Sequence, residues 1–176
     1  MELDPSLLGS APLVPYVGPA WRHLSPGYDP LSGEGARLHG GRFNPPGSFP
    51  VLYLCRTRPC AVAELQRLGE RQSLPIEDLL PRELSRFDIA LDQTLDLTEA
   101  NVRASIGIDL DTLTAPDWTL CNELGVIGHS LGIQAIHSAS ATGTDDVLAI
   151  FVQNVGLGRV APQLAETWQS LGDVAP

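Results

Sequence analysis

A chain of 176 residues with 43% hydrophobic content is long enough to bury one core and reads as a single domain. It has no apolar run of about 18 residues, the length a membrane helix needs, and its first residues, MELDPSLLGSAPLVPYVG, lack the basic stretch of a signal peptide, so a cytoplasmic protein is expected. The net charge of −10 argues against direct nucleic-acid binding, and three cysteines (Cys55, Cys60, Cys121) without a CxxC pair argue against disulfides or a zinc site.

In chain order, residues 1–16 read as a loosely held lead-in. Ala20–Leu24 (AWRHL) predicts a short strand with Trp21 and Arg22 on opposite faces. Ser25–Gly41 is loop by composition, and Gly40–Gly47 (GGRFNPPG) is too rich in glycine and proline for a helix or a central strand. Pro50–Cys55 is an apolar run that predicts a buried strand. Thr57 then caps a helix over 59–70, with Pro59 in its first turn and Ala61, Val62, Leu65 and Leu68 as its apolar stripe. Glu64 falls at the edge of that stripe, where a half-buried carboxylate needs a reason.

Further on, Ile76–Leu80 suggests a helical turn, Leu84–Leu91 a strand and Leu95–Leu97 another. Thr98 caps a short helix through Ala104. Leu120, Leu124, Ile127 and Leu131 give Pro116–Leu131 a helical period. Ile133–Ile136 and Val147–Val152 read as strands around the loop HSASATGTDD, and residues 162–171 as a final helix. Strands and helices mix without a regular βαβ repeat. That predicts an α+β domain with a mixed sheet and flanking helices.

Two short motifs mislead. Gly128-His129-Ser130-Leu131-Gly132 matches the G-x-S-x-G nucleophile elbow, but that elbow needs a strand before the serine and a helix after it. Here the order is reversed, and the only later histidine is His137, with no acid between. A helix ending on glycine is the simpler reading, and a serine hydrolase built on Ser130 is the competitor. Gly33, Gly35, Gly40 and Gly41 lack the strand and spacing of a dinucleotide fingerprint. The four histidines show no metal-ligand spacing.

The charge distribution says more than its total. All eleven basic residues are arginine, and seven of them (Arg22, Arg37, Arg42, Arg56, Arg58, Arg67, Arg71) lie between 22 and 71 against four acids. A GC-rich genome also produces lysine-free chains. The clustering nevertheless suits an anionic small molecule, because a guanidinium fork grips phosphate at two points. Taken singly, Arg22, Arg42 and Glu64 read as a surface arginine, a turn arginine and a solvated glutamate.

Together they carry a resemblance. The chain resembles the RES-domain toxins of RES–Xre type toxin–antitoxin systems in Trp21-Arg22, LSGEGAR at 31–37, GGRFNPPG at 40–47, VLYL at 51–54 and the AVAE ending at Glu64. A weaker match takes in Asp117-Trp118-Thr119, GIQAIHSAS at 132–140 and LAIF at 148–151. It departs at His23, where tyrosine is common, at Phe43, where tryptophan is, and at Ala139, where Pro-Ser often stands. The resemblance implies a fold similar to ADP-ribosyltransferase toxins, with residues 1–19 as a lead-in and 20–176 as the NAD-binding catalytic domain.

It also implies NAD as substrate rather than a prosthetic group, inorganic phosphate as a possible co-substrate, and a cognate Xre/MbcA-like antitoxin as partner. DNA contact would come only through that antitoxin. Carried over by position, Arg22, Arg42, Glu64 and Ser140 are catalytic, with Ser138 the alternative serine, and His23, Asn44, Tyr53 and Thr119 contact substrate; no metal is implied. The arginines would hold pyrophosphate, Tyr53 would stack on nicotinamide, and Glu64 would stabilise positive charge on the ribose. The residues themselves do not choose among phosphorolysis, hydrolysis and transfer to a protein side chain; the resemblance implies a toxin that degrades NAD by phosphorolysis or hydrolysis, with a protein ADP-ribosyltransferase as the alternative.

Overall fold

The structure, a computed structural model, describes residues 3–156 and 158–175; residues 1 and 2 of the predicted lead-in lie outside these. Six strands form one mixed sheet: β1 (Leu13–Leu24), β2 (Val51–Cys55), β3 (Arg82–Asp96), β4 (Ala135–Ala139), β5 (Asp146–Phe151) and β6 (Val160–Trp168). The spatial order is β1-β2-β5-β4-β3-β6, and β1 also pairs along β3, so the sheet closes on itself. Among the described residues, β3 and β4 form the only parallel pair.

The closure follows from two-sided burial of short apolar strands. Leu52, Leu54, Leu148 and Ile150 meet Phe87, Ile89 and Ala135 in a core made wholly of strand residues. The alternate residues Val51, Ala149 and Phe151 point the other way. They pack with α1 (Pro5–Ser10), α5 (Ala100–Ser105), α6 (Leu110–Thr114) and α7 (Thr119–Ser130). A third cluster forms where α3 (Arg58–Gln72) lays Cys60, Ala61, Val62 and Leu65 against Leu84, Trp168 and the short α8 (Leu171–Val174). The Thr57 hydroxyl accepts from the Cys60 N–H at 3.3 Å, and Pro59 sits in the first turn, as the sequence predicts. Ser73, at φ 54°, ends the helix.

The architecture is the α+β class expected, but several elements differ. The lead-in is not loose: Asp4 caps α1, and Leu3 and Leu8 are buried in the core. The first strand starts at Leu13 rather than Ala20. Pro15, Gly18 and Pro19 disguise its beginning, whose pairing comes from β3. Within the predicted 25–41 loop lies α2 (Glu34–His39), closed by Gly40 at φ 76°. The two strands expected at 84–97 are one continuous β3. Glu99, not Thr98, is the N-cap of α5.

The helix expected at 162–171 is wrong: Val160–Trp168 is the edge strand β6. Its alanines, glutamine, leucine and glutamate favour a helix locally, and pairing of eight register positions with β3 overrides them. The remaining short helix, α4 (Ile76–Leu79), joins α3 to β3.

Candidate functional site

A cleft of about 530 Å³ opens between the end of β1, the α2–β2 loop and the face of α3. That size falls in the range of about 300–1,000 Å³ usual for small-molecule sites. Among the described residues, five arginines (Arg22, Arg42, Arg67, Arg71, Arg82) and a single carboxylate, Glu64, line it. So strong a positive bias inside a chain of net charge −10 selects for an anionic ligand.

The Gly40–Gly47 loop forms one wall, and the structure shows what holds it. The Tyr53 hydroxyl accepts from the Phe43 N–H and donates to Asn44 Oδ1, both at 2.8 Å. Burial pushes its pKa up, so it stays a neutral donor. A Cβ on Gly41 would lie 2.5 Å from the Tyr53 ring, so only glycine lets the loop lie on that ring. From the other side, Asn122 Nδ2 donates to the carbonyls of Gly41 and Arg42, each at 2.8 Å. Gly125 lets α7 touch the Phe43 carbonyl, which a Cβ would approach to 1.8 Å.

The loop thereby fixes Arg42, which is 9% exposed. Its Nη1 donates to the Ala115 carbonyl at 2.9 Å, and the Trp118 ring lies 5.6 Å from the guanidinium carbon. Arg22 is anchored in the same manner: Nη1 donates to the carbonyls of Pro30 and Ser32, both at 2.9 Å. Burial lowers its pKa, but an arginine remains charged.

The opposite wall carries Glu64. Ser140 Oγ donates to its Oε1 at 3.2 Å. Ser140 is 2% exposed, and Thr142 holds it twice, through its N–H at 3.1 Å and its hydroxyl at 2.7 Å. Ser138 is fully buried, and its only hydrogen bond among the described residues is a 3.5 Å contact to the Ala139 carbonyl. The fold brings Ser140, and not Ser138, into hydrogen-bond contact with Glu64.

The remaining sequence candidates divide. Tyr53 and His23 line the cleft. Burial first, then the Arg82 and Arg22 charges, lower the His23 pKa to about 3, so the ring is neutral. Asn44 and Thr119 are not among the lining residues. The Asn44 amide is spent on Ala36 and Tyr53, so it acts on the loop. Thr119 is exposed and donates to Asp117 Oδ1 at 2.7 Å. Its neighbour Trp118 takes the lining position instead.

Sequence reasoning missed Arg67, Arg71, Arg82 and Trp118 as lining residues. For the first two a signal existed: Glu64, Arg67 and Arg71 are spaced three and four apart on one helix.

Three buried polar atoms in this cleft have no partner among the described residues: His23 Nδ1, Arg82 Nε and Trp118 Nε1. Buried polar groups are nearly always paired, so such a cluster marks a place a ligand completes. No group of three His, Cys, Asp or Glu side chains suited to a metal occurs among the described residues.

The competing G-x-S-x-G site has none of this. Ser130 closes α7, and its Oγ donates to the Ile127 carbonyl at 2.8 Å. His129 stacks on Phe49 at 4.0 Å and meets Gln153 at 3.0 Å. The helix leads in and β4 follows, the reverse of a nucleophile elbow.

Fold and cleft define a small α+β domain built to grip an anionic ligand, and comparison with known proteins gives it a family. Residues 19–169 match the RES domain, and the chain belongs to the RES-domain family. It is 31% identical over 142 residues to the NAD(+) phosphorylase MbcT of Mycobacterium tuberculosis and to that of Mycobacterium bovis, covering 80% of this chain and 76% of each relative. It superposes on a chain of the M. tuberculosis MbcT–MbcA toxin–antitoxin complex with a TM-score of 0.86 and 25% identity, covering 94% of this chain and 91% of that one. No helix among the described residues is long and apolar enough to cross a membrane.

Proposed function

We propose that this chain is the toxin of a toxin–antitoxin pair and degrades NAD by cleaving the nicotinamide–ribose bond, with inorganic phosphate as acceptor. The observation that carries this is the cleft itself, lined among the described residues by five arginines and one carboxylate, Glu64, which is bonded to Ser140. The similarity to MbcT supports the same reading.

NAD presents a pyrophosphate dianion and a cationic nicotinamide joined to ribose C1″. Arg22 and Arg42 hold the pyrophosphate. Each is pinned through Nη1 to backbone carbonyls, so the fork meets its ligand already oriented. Tyr53 fixes the loop and offers its ring edge beside the nicotinamide. As the C–N bond stretches, positive charge gathers on the ribose, and the Glu64 carboxylate stabilises it. Nicotinamide leaves with the bonding pair and becomes neutral, so it needs no proton. Ser140 holds one carboxylate oxygen in place and leaves the other for the ribose hydroxyls.

The partner is an Xre/MbcA-like antitoxin that covers the arginine cleft with a carboxylate or its C-terminal tail. An antitoxin that still inhibits after its tail is neutralised or removed would sink that part of the reading. Any DNA contact comes through the antitoxin, and the toxin itself acts on NAD in the cytoplasm.

The test is to incubate the purified chain, free of antitoxin, with NAD in the presence and absence of inorganic phosphate and to identify products by mass spectrometry. Phosphate-dependent ADP-ribose 1″-phosphate is expected. ADP-ribose regardless of phosphate would make the enzyme a glycohydrolase, and intact NAD from folded protein would overturn the proposal.

A further inference from the structure

Arg67 and Arg71 both line the cleft and are not among the groups that hold the pyrophosphate or the ribose. They lie on α3 three and seven residues after Glu64, about 4.5 Å and 10.5 Å further along the axis. Positions three and four apart share a helix face, so Glu64, Arg67 and Arg71 form one stripe into the cleft.

Neither guanidinium has a hydrogen bond or an ion pair among the described residues. Glu70, three residues after Arg67 and exposed, does not pair with it. Two like charges one turn apart cost a helix a few tenths of a kcal/mol. Arg71, in the last turn, complements the helix dipole there; Arg67 has no such compensation.

The short connection through α4 returns the chain from Arg71 to Arg82, the first residue of β3, and Arg82 lines the same cleft. Arg82 Nη1 is bound to Ser25 Oγ at 2.9 Å, while its Nε is buried and unpartnered among the described residues. His23, whose strand neighbour on β3 is Leu84, adds a second unpartnered buried nitrogen beside it. Three arginines and two orphaned polar atoms thus line the same cleft as Glu64.

We infer that Arg67 and Arg71, with Arg82, form a separate anion subsite that binds the inorganic phosphate acceptor and delivers it past Glu64 to the ribose. The inference rests on the proposed phosphorolysis. In that step a phosphate oxygen forms the new bond to C1″ while the C1″–N bond breaks. The electron pair of the broken bond goes to the nicotinamide nitrogen and cancels its charge. Phosphate enters as the dianion, so no base is required, and the products are nicotinamide and ADP-ribose 1″-phosphate. Arg67, one turn from Glu64, shields the incoming anion from that carboxylate, and Arg71 holds it at the mouth.

Steady-state kinetics with NAD and phosphate varied independently, resolving the phosphorylated and the hydrolysed product, test the assignment. Arg67→Gln and Arg71→Gln should each raise the KM for phosphate, by about ten-fold for one lost charge-assisted hydrogen bond, and leave the KM for NAD unchanged. The double variant should shift the product toward ADP-ribose. Arg86→Gln, a surface arginine paired with Asp88 outside the cleft, should change neither constant. Circular dichroism reports whether each variant is folded.

An unchanged phosphate KM in folded Arg67→Gln and Arg71→Gln would overturn the subsite. So would a rise in the NAD constant alone, which would put these arginines on the dinucleotide. If the wild-type chain consumes no NAD, or gives ADP-ribose whatever the phosphate concentration, the parent reading fails and the subsite falls with it. The wild-type arm thus separates the two failures.

Discussion

Ser140 follows the last residue of β4 and Ser130 is the last residue of α7, and in sequence Ser130 sits in the more familiar motif. The structure gives the two hydroxyls different surroundings. Ser140 is buried under a carboxylate at the cleft wall and held by Thr142 on two sides. Ser130 is exposed and bonds its own helix one turn back. The same α7 serves both regions, with Asn122 and Gly125 clamping the cleft loop near its start and Ser130 merely ending it. What separates the two serines is the group each hydroxyl meets, not the letters beside it.

The sharpest way to break this contrast is Glu64→Gln, which keeps the shape and removes the charge. NAD consumption should fall by about 10²–10³-fold, the usual cost of one transition-state charge partner, and growth arrest should disappear. Gly125→Ala tests the clamp. A methyl group forced against the Phe43 carbonyl should cost about 3 kcal/mol of stability in denaturant unfolding and loosen the loop that carries Arg42.

Thr142→Ala should lower kcat roughly five-fold with little change in the KM for NAD, since it removes one hydrogen bond that aims Ser140. Thr142→Ser should restore the rate, and Ser140→Ala should cost more than Ser138→Ala.

His23 gives a pH signature. Its folded pKa of about 3 lies below the unfolded value of 6.5, so the unfolded chain binds the extra proton. Its contribution to stability is therefore full above pH 6.5 and is lost as pH falls from 6.5 toward 3. A pH series of thermal melts should show this slope, and His23→Gln should flatten it. Ser130→Ala should leave NAD cleavage and stability unchanged.

How much of this was legible in the sequence follows from what is local. Thr57, Pro59 and the apolar stripe announce α3 and with it Glu64, and the density of glycine and proline announces the Arg42 loop. The edge strand β6 was not legible, because its residues favour a helix until β3 supplies hydrogen bonds. Asn122 and Gly125 were equally hidden, since their purpose lies some 80 residues away at Gly41, Arg42 and Phe43. Ser140 and Ser138 could not be separated by spacing alone; only the fold shows which of them meets Glu64. Arg67 and Arg71 were visible as charges but not as a face of the cleft, which needs the neighbouring strand to define it.

The most direct measurement is a side-by-side assay of NAD consumption by wild type, Glu64→Gln and Ser130→Ala, each purified folded and free of antitoxin. Turnover is expected in wild type and Ser130→Ala, and almost none in Glu64→Gln. Activity retained in Glu64→Gln and lost in Ser130→Ala would contradict it and move the chemistry to the other end of α7.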